Sequence, residues 1–257
     1  MQTSKTPNSN RVDLSIIIVN YKSEHYLDKC LASIYRESRA EQFEIIIVNN
    51  DQAANLAEIV KKYPKAAIFN CEKNIGFGRA CNYGAKKALG GLLLFLNPDT
   101  QFLNDYAQHV VNKFEKSAKK IGIIGPKLLT DEGQTQAWCT GKDLTLGQRV
   151  KNKFWIVESR KLWESQKEIM TDWVSGAALT IKKELFEKIE GFDENFFMYG
   201  EDLDLCAKIR DLGYTILYCP ETAILHSGGK SRENLLKQKL QFFKSSFYYI
   251  IKRMRHR

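Results

Sequence analysis

No run in this 257-residue chain is apolar for long enough to cross a bilayer. The most apolar strand-like stretch, Leu92-Leu93-Leu94-Phe95-Leu96, falls far short of the ~20 residues a spanning helix needs. The segment Met1 to Asn10 is polar and lacks the apolar centre of a signal peptide. It reads as a disordered leader over residues 1–11, and a cytoplasmic location is expected. The six cysteines are scattered with no CxxC pair; a disulfide framework belongs to short secreted chains and a zinc site to close ligand spacing, so neither is supported and buried free thiols are expected. Repeats, low-complexity tracts and Pro/Gly-rich linkers are missing as well, so the chain reads as one domain with a tail. With 44% hydrophobic and 27% charged residues, it has the usual make-up of a globular protein.

Charge is unevenly placed. The formal net charge is +9, and the stretch Lys230 to Arg257 holds nine basic residues against the single acid Glu233, so the body is near neutral. A basic tail on a neutral body points to an anionic surface met by one end only.

The first hundred residues alternate between short apolar runs and helix-period stretches. Runs at Leu14–Val19, Glu44–Val48, Ala66–Phe69 and Leu92–Leu96 are separated by helical patterns at 23–37, 53–62 and 77–89. Strands apolar on both faces, alternating with helices, specify an α/β doubly wound sheet. A helix over 102–119 follows, then a strand at 121–124, an irregular stretch over 130–170, a strand at 174–181, a helix at 201–211 and a strand at 214–218.

In an open parallel sheet, ligands bind beyond the carboxyl ends of the strands. Here those ends deliver Asn20-Tyr21, Asn49-Asn50-Asp51 and Asn97-Pro98-Asp99-Thr100. Turn chemistry accounts for one such cluster; three on one edge suggest a site. Two nucleotide fingerprints fail: Cys81 occupies the third glycine of Gly76-Phe77-Gly78, and Ile224 the first glycine of a loop ending in Gly229-Lys230-Ser231. A denser cluster runs from Gly191 to Asp204, with three acids (Glu201, Asp202, Asp204) at a helix start beside Phe192, Phe196, Phe197 and Tyr199. His226, at a strand end, is a metal-ligand candidate.

Together these pieces resemble the inverting, GT-A-fold glycosyltransferases of family two over about Leu14 to Ser231. The matching segments are Ile16-Ile17-Ile18-Val19-Asn20-Tyr21, Val48-Asn49-Asn50, Asn74-Ile75-Gly76-Phe77-Gly78 with Asn82, Asn97-Pro98-Asp99, Val174-Ser175-Gly176-Ala177, the Gly191–Asp204 block and His226. The NPD form and the FFMYGEDLDL block are most similar to the rhamnosyltransferase subgroup. The resemblance implies a GT-A-type, doubly wound, mostly parallel sheet with helices on both faces over 12–229, then a basic amphipathic tail over 230–257. It implies a nucleotide-diphosphate sugar donor, with thymidine-diphosphate rhamnose first and a uridine-diphosphate hexose or acetamidosugar second. The acceptor would be a saccharide or lipid-linked saccharide in cell-surface polysaccharide synthesis, and the cofactor Mg²⁺ or Mn²⁺. By the same resemblance Asp202 is the base and Glu201 orients the acceptor, while Asp99 and His226 hold the metal. The nucleotide-sugar contacts it implies would come from Asn20, Tyr21, Asn49, Asn74, Gly76, Arg79 and Asn97. The chain departs from the family pattern at Asn97, which opens the DxD-like triplet, and at Asn49, where the family more often has Asp. Asn97 is left to hydrogen-bond the ribose or a metal-bound water.

Two other readings are weaker. A nucleotidyltransferase needs a glycine-rich basic loop after the first strand, where this chain has Asn20-Tyr21-Lys22-Ser23-Glu24. A nucleic-acid-binding module needs its basic patch on the folded body, so nucleic acid is not an expected partner. In the tail, Leu236, Leu240, Phe243, Phe247, Ile250 and Met254 form one helical stripe among Lys237, Lys239, Lys244, Lys252, Arg253, Arg255 and Arg257. That stripe either packs on the enzyme's own sheet or rests on an anionic membrane, the inner face of the plasma membrane.

Overall fold

The computed structural model describes residues 12–38, 43–117, 120–143, 156–228 and 235–255. The expected leader 1–11, the start of the tail at 230–234 and Arg257 lie outside them.

Four strands open the fold: β1 (Leu14–Asn20), β2 (Phe43–Asn49), β3 (Ala66–Asn70) and β4 (Leu92–Leu96). Between them lie α1 (Glu24–Glu37), α2 (Ala57–Lys62) and α3 (Phe77–Lys87). After β4 come β5 (Thr100–Phe102), α4 (Tyr106–Lys116), β6 (Ile121–Leu129), β7 (Thr140–Gly141) and α5 (Ile156–Trp163). The remainder is β8 (Ile169–Thr171), β9 (Trp173–Val174), β10 (Ala178–Lys182), α6 (Lys183–Lys188), α7 (Glu201–Asp211), β11 (Thr215–His226) and α8 (Leu235–Arg255).

Nine strands form one sheet in the order β3-β2-β1-β4-β10-β6-β11-β5, with β8 also on β11. Six run one way, and β5, β8 and β10 run against them. Every residue of β1 is buried, as expected of a strand covered by helices on both faces. The cysteines are free, and all but Cys71 are buried; burial pushes the Cys30 and Cys206 thiols up to about 12.

Several boundaries differ from the sequence pattern: β6 runs on to Leu129 and β11 to His226, where strands ending at 124 and 218 are expected, and α2 starts at Ala57 rather than at 53. The helix expected from residue 102 begins at Tyr106, because the Asp105 carboxylate caps it by accepting the Gln108 N–H at 3.1 Å; Phe102 belongs to β5 instead. The strand expected over 174–181 is broken at Ser175-Gly176-Ala177, where β9 ends and the antiparallel β10 begins.

α3 lies hard on the sheet at Gly84. A Cβ there would stand 2.7 Å from Ile17 Cγ2 and 3.1 Å from Val48 Cγ2. This approach sets where the helix begins, at the sheet edge that carries the amides. Gly84→Ala should destabilise the fold by about 1–3 kcal/mol through overpacking. Urea unfolding at an unchanged m-value checks this, and an unaltered midpoint would show that α3 has slack.

Candidate active site

The carboxyl edge of the parallel strands gathers amides. Asn20, Asn49 and Asn70 end β1, β2 and β3 in register. Asn20 Nδ2 donates to Asn49 Oδ1 at 3.0 Å, and Asn49 Nδ2 to Asn70 Oδ1 at 2.9 Å. The backbone sets the direction of this row: the Asp51 N–H points at Asn49 Oδ1 (3.4 Å), while Asn49 Nδ2 faces the Ala54 carbonyl (3.5 Å). Asn20 Oδ1 is left buried without a partner among the described residues. Such an acceptor calls for a donor, for which a base imide or a hydroxyl is suited. Asn49, expected at the nucleotide, spends both ends of its amide within the row. Tyr21 follows Asn20 half-buried, with the Lys22 ammonium 5.3 Å from its ring centre.

Asn50 holds the next loop. It donates to Asn74 Oδ1 at 2.9 Å and to the Gly76 carbonyl at 3.4 Å, and accepts the Ile75 N–H at 3.0 Å. Asn74 Oδ1 also takes the Gly76 N–H at 2.9 Å. The sequence candidates did not include Asn50, although it stood in the Asn49-Asn50-Asp51 cluster. Gly76 has φ +87°, and a Cβ on it would meet the Phe197 carbonyl oxygen at 2.8 Å; only glycine lets α3 start against the 193–200 segment. Arg79 engages that segment too, donating to the Glu194 carbonyl at 3.1 Å and pairing with its carboxylate at 3.6 Å.

A second group forms after β4. His226 Nε2 stands 3.4 Å from Asp99 Oδ1 and 3.4 Å from Asn97 Nδ2. Its other nitrogen, Nδ1, is 2.8 Å from Gln136 Oε1. With the Nδ1–H donated to Gln136, the Nε2 lone pair faces the Asp99 carboxylate, the outer support a ligating imidazole has. Two ligands of one hard cation at ~2.0–2.2 Å stand about 3 Å apart, so the pair fits a divalent ion. Among the described residues no three His, Cys, Asp or Glu side chains gather as a metal cage. An ion here would need oxygens from a ligand to complete its shell.

The acid pair opens α7. Tyr199 (φ +69°) and Gly200 (φ +88°) are both left-handed, a sharp reversal that sets Glu201 and Asp202 at the helix start. Asp202 Oδ2 accepts the Gly176 N–H at 2.9 Å and its Oδ1 the Leu203 N–H at 2.9 Å. Burial raises its carboxyl above the ordinary range, against the pull of those two N–H groups. Glu201 is buried, and its Oε2 has no partner among the described residues; burial, then the neighbouring Asp202 charge, push it up to about 8. Asp204 is taken up by Lys252, whose Nζ lies 2.8 Å from it.

One turn joins the acids to the histidine. The Ser175-Gly176-Ala177 turn holds Asp202 at Gly176, and its Ala177 carbonyl accepts the Asn97 N–H at 2.9 Å. The structure thus brings Asp202, Asn97, Asp99 and His226 together on one side, and Asn20, Asn49, Asn74 and Gly76 on the other.

The chain matches the model described as Glycosyl transferase family 2 over residues 15–186, and that for the N-terminal domain of galactosyltransferase over 164–227. It is 26% identical over 225 residues to the O-antigen biosynthesis protein RfbC of Myxococcus xanthus, covering 84% of this chain but only 17% of that protein. It is 23% identical to the N-acetylglucosaminyl-diphospho-decaprenol L-rhamnosyltransferase of Mycobacterium tuberculosis (83% of this chain, 75% of the relative). To the rhamnosyltransferase WbbL of Escherichia coli it is 24% identical (93% and 92%). Among solved structures, a mannosyltransferase of Pyrobaculum calidifontis in complex with GDP-Man and Mn²⁺ superposes with a TM-score of 0.67 at 15% identity, over 97% of this chain and 66% of that one. The fold is thus GT-A-like.

The acid pair generates a test on stability. Glu201 keeps its proton in the folded chain up to about pH 8, whereas its ordinary value is 4.5. Between those values the folded form binds more protons than the unfolded. Its contribution to stability is therefore full below the lower value and is lost as pH rises through the upper one. Glu201→Gln removes the ionisable group, so its Tm relative to the unsubstituted chain should rise by about 3 °C or more from about pH 5 to about pH 9. A difference that stays flat in thermal scans across that range would rule out a buried, protonated Glu201.

Proposed function

The chain belongs to glycosyl transferase family 2, and from that membership we propose that it moves a sugar, with inversion, from a nucleotide-diphosphate donor to a saccharide or lipid-linked saccharide acceptor. The setting would be cell-surface glycan synthesis. The observation that carries this reading is the turn at Ser175-Gly176-Ala177, which binds Asp202 at Gly176 and the Asn97–Asp99 segment at Ala177. A proton acceptor and a phosphate-binding group thus flank the same short stretch of backbone.

In the displacement, the acceptor O–H gives its proton to Asp202 as its oxygen bonds to the anomeric carbon. The bond from that carbon to the diphosphate breaks on the opposite face. A raised carboxyl brings the base closer to the operating pH, where general-base catalysis is most effective. Glu201, protonated and buried beside it, leaves the negative charge on Asp202. Asp99 and His226 would hold Mg²⁺ or Mn²⁺, which neutralises charge on the leaving diphosphate. Asn20 Oδ1 is offered to the base or ribose, Tyr21 to stacking on the base, and Asn97 to the ribose. Asn49, Asn74 and Gly76 shape that pocket from behind, and Arg79 is available to a phosphate when it leaves Glu194.

Two of the relatives are named as rhamnosyltransferases, which supports a deoxysugar donor, thymidine-diphosphate rhamnose first. The name of the mycobacterial relative includes a diphospho-decaprenol carrier, which supports a lipid-linked acceptor. Such an acceptor makes an anionic membrane surface a partner, met through the basic tail at the inner face of the membrane. Nucleic acid is not among the partners.

Asp202→Asn keeps the shape but accepts no proton, so kcat should fall by about 10²-fold or more while nucleoside-diphosphate affinity is kept. Near-normal transfer in single-turnover assays would remove Asp202 from the role. Chelator should abolish transfer, and Asp99→Ala and His226→Ala should each weaken metal-dependent nucleoside-diphosphate binding by calorimetry. Full activity in excess EDTA would end the metal assignment.

A further inference from the structure

α8 meets the body with an unexpected face. Its contacts are Ser245 Oγ donating to the Met198 carbonyl (2.7 Å), Tyr248 Oη donating to Asp193 (2.9 Å) and Tyr249 Oη donating to Asp143 (2.9 Å). Lys252 Nζ donates to both Asp193 and Asp204 (2.6 and 2.9 Å). At about 100° per residue, positions 245, 248, 249 and 252 share one side of the helix. Leu240, Phe243, Phe247 and Met254 fall on the opposite side, and they are 55%, 67%, 67% and 66% exposed. These four members of the stripe therefore do not pack on the sheet; Ile250 is half-buried, and the Leu236 side chain lies outside the described residues. Of the tail cations, Lys252 and Arg253 are turned to carboxylates of the body, while Lys239, Lys244 and Arg255 are exposed beside the stripe.

An exposed row of Leu, Phe and Met edged by cations is the surface of a helix lying in a lipid interface. No helix among the described residues is long and apolar enough to cross a membrane, so insertion along the plane is what this element allows. Nucleic acid offers nothing to bury the apolar row. A second copy of the same helix would bring Lys239, Lys244 and Arg255 against their own kind. An anionic bilayer satisfies both the row and its edges.

The inner face gives this docking a consequence. Ser245, Tyr248 and Lys252 grip the 193–200 segment that leads into Glu201 and Asp202, and Phe242 stacks edge-on with Tyr199 at 6.0 Å. We propose that α8 lies in the interface of an anionic membrane on its Leu240–Phe243–Phe247–Met254 side, while its other side holds the acid-bearing segment, so that the acceptor site opens at the lipid surface. This rests on the reading of the acceptor as lipid-borne.

Sedimentation of the full chain with vesicles tests it. Binding should be strong to phosphatidylglycerol vesicles, weak to phosphatidylcholine and reduced by salt. Phe243→Ser with Phe247→Ser, and separately Lys244→Glu with Arg255→Glu, should each cut it by about 10-fold or more, with nucleoside-diphosphate binding unchanged as proof of folding. Equal pelleting with neutral vesicles, unchanged binding in both variants, or a dimer that the serine pair converts to monomer without any vesicle binding would overturn the proposal. Vesicle binding by a chain that takes up no nucleoside diphosphate would instead overturn the glycosyl-transfer reading and leave the docking intact.

Discussion

The hydrogen bond from the Gly176 N–H to Asp202 Oδ2 ties together two segments 26 residues apart in the chain. Gly176 sits in the turn entering β10, whose first residue Ala178 pairs with Leu96 at the end of β4, so the turn lies at the edge where β1 to β4 end. Asp202 arrives from the other side, on a helix that starts after two left-handed residues. The turn lies close enough that a Cβ on Gly176 would touch Asp202 Cβ at 3.4 Å. A carboxylate on the first turn of a helix is favoured by the helix dipole wherever it points; the backbone donor at Gly176 is what aims it.

The parallel half of the sheet was legible because Leu14–Asn20, Phe43–Asn49 and Leu92–Leu96 are apolar on both faces, and that pattern has few alternatives. α7 was read to the residue, since a glycine and three acids mark its start. The direction of β10 was not legible: hydrophobicity reports burial and is silent on which way a buried strand runs. The apolar period extends the helix back to Phe102, and only the Asp105 cap marks its true start at Tyr106. In the tail, periodicity showed that a stripe exists but not which side of the helix finds partners. Tyr248, Tyr249 and Lys252 reach Asp193, Asp143 and Asp204, contacts separated by 48 residues or more. Asn50 escaped notice for a similar reason, since its work is done on Asn74 and Ile75 across the sheet edge.

The site divides by polarity. One end is lined by amides and a phenol ring, the other by carboxyls and an imidazole. The 193–200 segment borders both, touching α3 at Gly76 and Phe77 and α8 at Ser245. A displacement of that segment would be felt by the loop at Asn74 and by the acid pair together, so the two ends of the site share one mechanical support.

The row of Asn20, Asn49 and Asn70 carries a further consequence. An aspartate at the middle position would bring a charge, and its attraction for a ligand would weaken with ionic strength. Three amides carry none. Their selectivity is a matter of orientation: with Asn49 pinned by Asp51 and Ala54, Asn20 is obliged to present an oxygen, as each tile in a line of dominoes is set by the one before it. The amide end of the cleft is thereby keyed to the hydrogen-bonding sense of whatever it binds and made indifferent to salt, and any ionic recognition is left to the end that carries Asp99 and His226.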